Sequence, residues 1–443
     1  MKIELTGHYT LRRILTTMVP SVLMMLVTSV YSIVDGWFVS NFVGSSQFAA
    51  VNLVYPARMM IGSIGIMIGS GGCALVAKTL GEGNPLKANK IFSMLIEFTI
   101  VTAAVFSTIF YLFANEICAM LGADGALQQH CVDYSRIIIV CMPAFMLQMA
   151  FQSFFMAAEK PQLGAVMSIA SGVTNIVLDA VFIIIFKWGL EGAALATALA
   201  QLLGGIYPLY YFSSKRNTSR LKFELSAFQW KPIAKTCTNG SSEFVGNIAF
   251  SLASMCYNWQ LIRYAGENGV AAFGVIMYVG FIFTSVFIGY NISMAPVIAY
   301  NFGACNNAEL KSLLRKSMLL LTIFGLTLTA LAEVFSGPIA VMFVGYDSAL
   351  TEFTTHAFRI YMISNLLVGF NMFTSAFFTA LNNGVVSAFA AFTRSIIFEI
   401  SAVFLLPLWL GIDGIWLSIT VAEALSLIVS LSLLLAFRRR YGY

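Results

Sequence analysis

The chain has 443 residues, 59% of them hydrophobic and only 10% charged, with a formal net charge of +5 and a mean hydropathy of +0.84. Soluble domains carry about 25% charged residues. This depletion excludes a water-soluble globule and implies that most side chains face lipid or other helices.

Apolar segments of about 20 residues, each long enough to cross the ~30 Å hydrocarbon core, recur along the whole length. They predict twelve transmembrane helices, at 14–40, 51–78, 91–115, 134–158, 163–187, 190–212, 238–262, 270–298, 317–341, 357–380, 385–409 and 412–436. A transmembrane β-barrel would instead alternate polar and apolar residues in strands of about ten. The first segment outruns the 7–15 apolar residues of a signal peptide, so it is read as a true span rather than a cleaved leader. It contains Pro20, Tyr31 and Asp35, the last within "SVYSIVDGWFVSNFVG". An ionised residue at mid-bilayer costs about 2.5–3.5 kcal/mol on insertion scales. A cation, a proton or a water-filled cavity must offset it. The second segment holds "GSIGIMIGSGG" at 62–72, glycines that allow helices to approach closely. No GK[ST] follows, so it is not a phosphate loop, and the lack of a nucleotide motif argues against ATP as the energy source.

The fifth segment carries a second intramembrane acid, Asp179, in "ASGVTNIVLDAVFIIIF". Residues four apart share a helix face, which pairs Tyr31 with Asp35, Asn175 with Asp179, and Thr197 with Gln201 on the sixth segment. Two carboxylates, an amide and hydroxyls make an oxygen-rich set suited to a hard cation such as Na⁺, by the logic that governs Ca²⁺ and Mg²⁺; protons could use the same groups. Ser213 to Lys235, the longest polar stretch, reads as a cytoplasmic linker. Beyond it, Glu243 and Asn247 share a face of the seventh segment, with Glu243 expected a turn or two from the cytoplasmic end. Arg394 and Glu399 lie five apart in the eleventh, about 140° around an α-helix, and are expected not to pair. The seven cysteines contain no CxxC and the three histidines form no cluster. No metal centre, redox cofactor or intramembrane enzyme is expected.

Basic residues fix the orientation. With the N-terminus inside, cytoplasmic segments hold 19 of the 25 Lys and Arg, among them Lys2, Lys87, Lys90 and Lys235, and outer segments hold four; Arg58 and Arg394 fall within spans. Both termini are therefore expected in the cytoplasm, and the +5 charge reflects topology rather than nucleic-acid binding. A shift of 222 residues lays the second half on the first, with Trp37 on Trp259, Gly81 on Gly303 and Asn84 on Asn306. An even number of spans per half makes this a parallel repeat about an axis along the membrane normal. The expected fold is an all-α membrane protein of two six-helix lobes, 1–212 and 238–443, joined by a linker at 213–237. Asp35 falls on Tyr257 and Asp179 on Ser401, so the acidic pair belongs to the first lobe alone.

The stretches "VDGWFVSNFVG", "GEGN", "NIVLDAVFI" and "NGSSEFV", with the length and the repeat, resemble the multidrug and toxic compound extrusion (MATE) family, in particular its MepA-like bacterial branch. The resemblance implies a secondary transporter of the bacterial inner membrane, monomeric, exporting amphipathic organic cations in exchange for Na⁺ or H⁺, without another cofactor. It implies cation coupling at Asp35, Asn175, Asp179 and Thr197, a cavity lined by Tyr31, Tyr134 and Gln152, and a bend at Pro20; Glu243 and Asn247, read from their shared face rather than from the resemblance, are candidates either for a second cation-recognition point facing that cavity or for a structural hydrogen bond. "LDA" stands where many relatives have "LDP", which should straighten the fifth helix locally and leave the ligands in place. A metabolite exporter remains open. A flippase for a lipid-linked precursor would call for more cavity-facing cations than Arg58 and Arg394.

Overall fold

Lipid offers no partner to backbone N–H and C=O groups, so a spanning segment must satisfy its own. The computed structural model describes residues 4–443, which form helices and no strand. Lys2, counted above among the inward cations, lies outside the described residues. Among the described residues, nine helices are long and apolar enough to cross a membrane, and two bent pairs each serve as one more span. The helix Trp230–Gly303 is two spans: Gly266 within it has φ 62° and ψ −146°, a conformation that glycine adopts freely and other residues do not. The chain thus crosses twelve times. The spans are Leu11–Val43, Ser46–Gly81, Pro85–Leu112, Gly125–Val140 with Met142–Ala157, Pro161–Ile185, Gly189–Ser213, 230–265, 267–303, Asn307–Val344, Ser348–Met362 with Asn365–Ala380, Gly384–Leu410 and Ile412–Tyr441.

The sequence expectation of twelve spans holds, with three differences in detail. The fourth span is bent by 58°, where Pro143 opens the second half without an N–H to donate. The tenth is bent by 43° next to Ser364, whose hydroxyl donates to Tyr361 O at 2.8 Å. The fifth runs as one continuous span, but past Asp179 the helix widens to a π-helical stretch, Ala180–Ile185. Thr393–Glu399 in the eleventh span does the same. Pro20 sits inside an unbroken helix, Leu11–Phe38.

The largest buried cluster draws on both lobes, joining Ile68, Val76 and Phe154 to Tyr290, Val297 and Phe377. The other clusters are each confined to one lobe. The shared cluster lies toward the linker, where glycines let backbones touch: a Cβ on Gly240 would stand 1.9 Å from Met67 O, one on Gly71 2.1 Å from Thr236 O, and one on Gly81 2.1 Å from Tyr300 O. At the opposite end, Cβ atoms on Gly266 and Gly274 would meet nothing within 4 Å, nor would one on Gly246, midway along the seventh span. The lobes therefore meet on the linker side and part on the other, leaving a cleft. A strap before the first span braces the closed side. Leu5 N donates to Glu159 Oε1 at 2.8 Å in the first lobe, and Tyr9 N donates to Glu309 Oε1 at 2.8 Å in the second. Burial pushes the Tyr9 hydroxyl up to about 12.

The linker itself is shorter than the polar stretch implied. The sixth span ends at Ser213 and helix resumes at Trp230, ahead of the expected boundary at 238. Linker backbone is tied to the third span: Lys222 N donates to Asn89 Oδ1 (3.1 Å), Glu224 N to Ser93 Oγ (2.8 Å) and Gln229 N to Met94 Sδ (3.3 Å).

Candidate functional site

Asp35 reaches the site from eight residues before the end of the first span, and Asp179 from six before the end of the fifth, so both lie in the half of the membrane away from the linker. Their carboxyl groups stand side by side, close enough to share a proton. Asp179 is fully buried and Asn175, one turn earlier, is 1% exposed. From the sixth span, Thr197 Oγ1 accepts from Asn175 Nδ2 at 3.4 Å. The structure thus brings Asp35, Asn175, Asp179 and Thr197 into one cluster. Both Asp179 oxygens, Asp35 Oδ1 and Asn175 Oδ1 are buried without a hydrogen-bond donor. Buried polar atoms are paired in the great majority of cases. Several orphaned oxygens in one cluster fit a hard cation or a proton.

One cation stands against the two acids. Arg58 of the second span lies within electrostatic reach of Asp35 and of the Tyr31, Tyr55 and Tyr134 hydroxyls, and its guanidinium sits 4.8 Å over the Phe145 ring. Tyr31, which spacing paired with Asp35, and Tyr134, which only the resemblance put forward, thus both lie beside the cluster. Arg58 and Tyr55 were not singled out for it. The signal that could have found Arg58 is an unpaired cation in a span of the lobe that holds two unpaired acids. Gln201 is buried at 3% exposure, with both amide atoms unpartnered. Gln152 sits apart, five residues from the linker-side end of its span, in a small recess with Met24, Gln148, Ser168 and Gly204.

The second lobe is built differently. Arg394 Nε donates to Glu423 Oε1 at 2.7 Å, Asn371 Nδ2 donates to Glu423 Oε2 at 2.7 Å, and Ser430 Oγ donates to Asn371 Oδ1 at 2.8 Å. Glu423, which aligns with Gln201, therefore has its charge and lone pairs met. As expected, Arg394 takes its partner from another span, Glu423, and makes no ion pair with Glu399 among the described residues, but the π-helical turn changes the angle between the two. Hydrogen bonds run i to i+5 there, so residues five apart come onto one face, and Glu399 lies within electrostatic reach of Arg394. Glu243 also acts on Arg394. Its depth differs from expectation: with the seventh span starting at Trp230, Glu243 is thirteen residues in, about 20 Å at 1.5 Å per residue. Asn247 Nδ2 donates to the Glu243 backbone carbonyl at 2.8 Å, so part of its amide is spent within its own helix. Tyr257, aligned with Asp35, is 1% exposed and stacks on Phe273 with centroids 5.0 Å apart.

Two lobes of six spans, a cleft between them and an unneutralised buried acidic cluster in one lobe define a multi-pass membrane transporter rather than an enzyme. The MatE family profile matches twice, over residues 20–181 and 244–405. The chain belongs to the MatE family, and the double match, at a shift of 224, reports the same duplication as the internal repeat. It is similar to the multidrug export protein MepA of Staphylococcus haemolyticus (strain JCSC1435), at 22% identity over 95% of this chain and 92% of that one. MepA of Staphylococcus aureus (strain NCTC 8325 / PS 47) matches to the same extent. Among solved structures, a MATE protein in the straight conformation superposes with a TM-score of 0.92 at 20% identity, over 99% of this chain and 97% of that one. This likeness speaks for the fold.

Proposed function

We propose that this transporter exports amphipathic organic cations from the cytoplasm in exchange for Na⁺ or H⁺, and that the lobes 1–212 and 238–443 alternate access around the cleft. The observation that carries this reading is the Asp35–Asp179 pair with its orphaned oxygens. Two carboxylates against one guanidinium, Arg58, leave a formal charge of −1, which one monovalent cation or one proton neutralises. Asn175 and Thr197 supply further oxygens. Coupling requires that ion and drug bind the two states unequally. The coupling site lies in the first lobe, which forms one wall of the cleft, so an ion bound at the pair changes the charge that a cationic substrate meets. Tyr31, Tyr134, Glu243 and Asn247 are proposed to contact substrate, Gln152 to line its path and Pro20 to serve as the flexing point of the first span. The names of the MepA relatives support a drug substrate. No further cofactor is invoked, and the working unit is proposed to be a monomer in the bacterial cell membrane.

Dye efflux from everted vesicles, driven separately by a Na⁺ gradient and by a pH gradient, tests the proposal. Acceleration by one gradient is expected. Indifference to both would remove ion coupling, and movement of a labelled lipid-linked precursor instead of dye would favour a flippase. The 19-to-4 distribution of basic residues supports cytoplasmic termini and linker. A single cysteine within Lys215–Lys235, in an otherwise cysteine-free protein, is accordingly expected to resist impermeant thiol reagents in intact cells. Ready labelling from outside would reverse the orientation, and the direction of transport with it.

A further inference from the structure

We propose that the recess between the start of the third span and the linker binds the headgroup of an anionic phospholipid. The recess has a volume of ≈ 240 Å³ and is lined by Asn84, Lys87, Lys90, Met94, Ser226 and Gln229. The three linker hydrogen bonds to Asn89, Ser93 and Met94 hold its wall in place, so the recess is formed before any ligand arrives. Lys87 and Lys90 are exposed and make no ion pair among the described residues. Lys222 and Lys231 flank them on the linker side, whereas Glu224 is the one acid between those two lysines. Four lysines, Lys87, Lys90, Lys222 and Lys231, thus stand against two acids, Glu224 and Glu97, and the local charge is net positive.

Its depth identifies the ligand. Both lysines stand in the first two turns of a span whose remainder is apolar except for Glu97, two turns past Lys90. Leu225, Phe228 and Trp230 are 98%, 69% and 64% exposed, and the Phe228 and Trp230 rings lie 6.4 Å apart. Exposed aromatic side chains beside the end of a span mark the membrane–water interface. The recess thus opens at headgroup level, where the phosphate of a phospholipid resides. Leu86, Ile91 and Pro232 complete its lining and offer an apolar wall for the start of an acyl chain, for which inorganic phosphate has no use. The lysines answer the phosphodiester and the added negative charge of the lipid, and the Gln229 and Asn84 amides can donate to its oxygens. Because the linker leads from this recess straight into the seventh span, an occupied site fastens the first lobe to the entry of the second.

The test uses the full-length protein, stripped of lipid in detergent, with native mass spectrometry counting bound phosphatidylglycerol, phosphatidylcholine or inorganic phosphate. The wild-type protein is expected to retain phosphatidylglycerol in preference to phosphatidylcholine. Lys87→Gln with Lys90→Gln should weaken that retention about thirtyfold, each lysine near an anionic lipid being worth about fivefold. Lys87→Arg with Lys90→Arg should keep most of it, and Lys311→Gln with Arg315→Gln, on the same side but outside the recess, should change nothing. Equal retention of both lipids, an unaffected glutamine variant, or displacement of the lipid by millimolar inorganic phosphate would each overturn the proposal.

Discussion

Asp35→Asn is expected to abolish ion-driven efflux in a protein that still inserts, folds and reaches the membrane in normal amount. The exchange keeps the shape of the side chain and removes the charge that a coupling ion would neutralise. Asp179→Asn should do the same, because the two carboxyl groups stand side by side and would hold one ion between them. Residues that act as a unit are non-additive. Each single variant should therefore lose most of the coupled rate, at least tenfold, and the double variant should lose little more. Glu243→Gln provides the contrast: it sits in the other lobe, beside Arg394, and should alter substrate affinity or selectivity more than coupling. Efflux rates in vesicles at matched protein levels read all four. Additive losses in the double variant would mean two independent acids, and normal efflux by Asp35→Asn would remove that residue from the mechanism.

The number of spans was legible because lipid imposes one rule everywhere: a segment of about 20 apolar residues that satisfies its own backbone. The internal repeat was legible for a related reason, since two lobes packing alike reuse glycines and aromatics at a fixed shift. Sequence spacing also brought Asn175 with Asp179 and Thr197 with Gln201 onto common faces, but it could not bring the first, fifth and sixth helices together. The structure does so. What escaped were departures from the regular α-helix. The angle between Arg394 and Glu399 assumed 3.6 residues per turn, and the π-helical Thr393–Glu399 stretch does not keep it. Nothing in the side chains of "TRSIIFE" announces a π turn, which depends on how the eleventh span packs against its neighbours. Similarly, Glu243 was read as shallow because polar residues from Trp230 to Ser242 mask a helix that begins at Trp230. One face of this stretch packs against the other lobe, where Thr236 and Gly240 meet Gly71 and Met67, while Lys231, Lys235 and Thr238 stay exposed.

That same contact supplies the second large effect. Gly240→Val is expected to shift the transporter away from the state in which the lobes meet on the linker side. A Cβ there would stand 1.9 Å from Met67 O, against backbone that cannot swing aside as a side chain would. Overpacking costs about 1–3 kcal/mol. If the lobes separate here in the opposite state of the cycle, only the closed state bears that cost, because a destabilisation shifts an equilibrium by its difference between states. A difference of that size is about 5–150-fold in population. Distances between spin labels at Lys87 and Lys311, one on each lobe and both exposed, should lengthen in the variant, and efflux should fall. Gly240→Ala should act in the same direction with a smaller shift, which separates a change of state from a failure to fold. Gly246 lies less than two turns further along the same helix, and a Cβ there would meet nothing within 4 Å, so Gly246→Ala should leave both the distances and the rate unchanged. An unaltered distance distribution in Gly240→Val, in a protein as stable as the parent, would mean that these surfaces stay together throughout transport and that access alternates by some motion other than separation of the lobes.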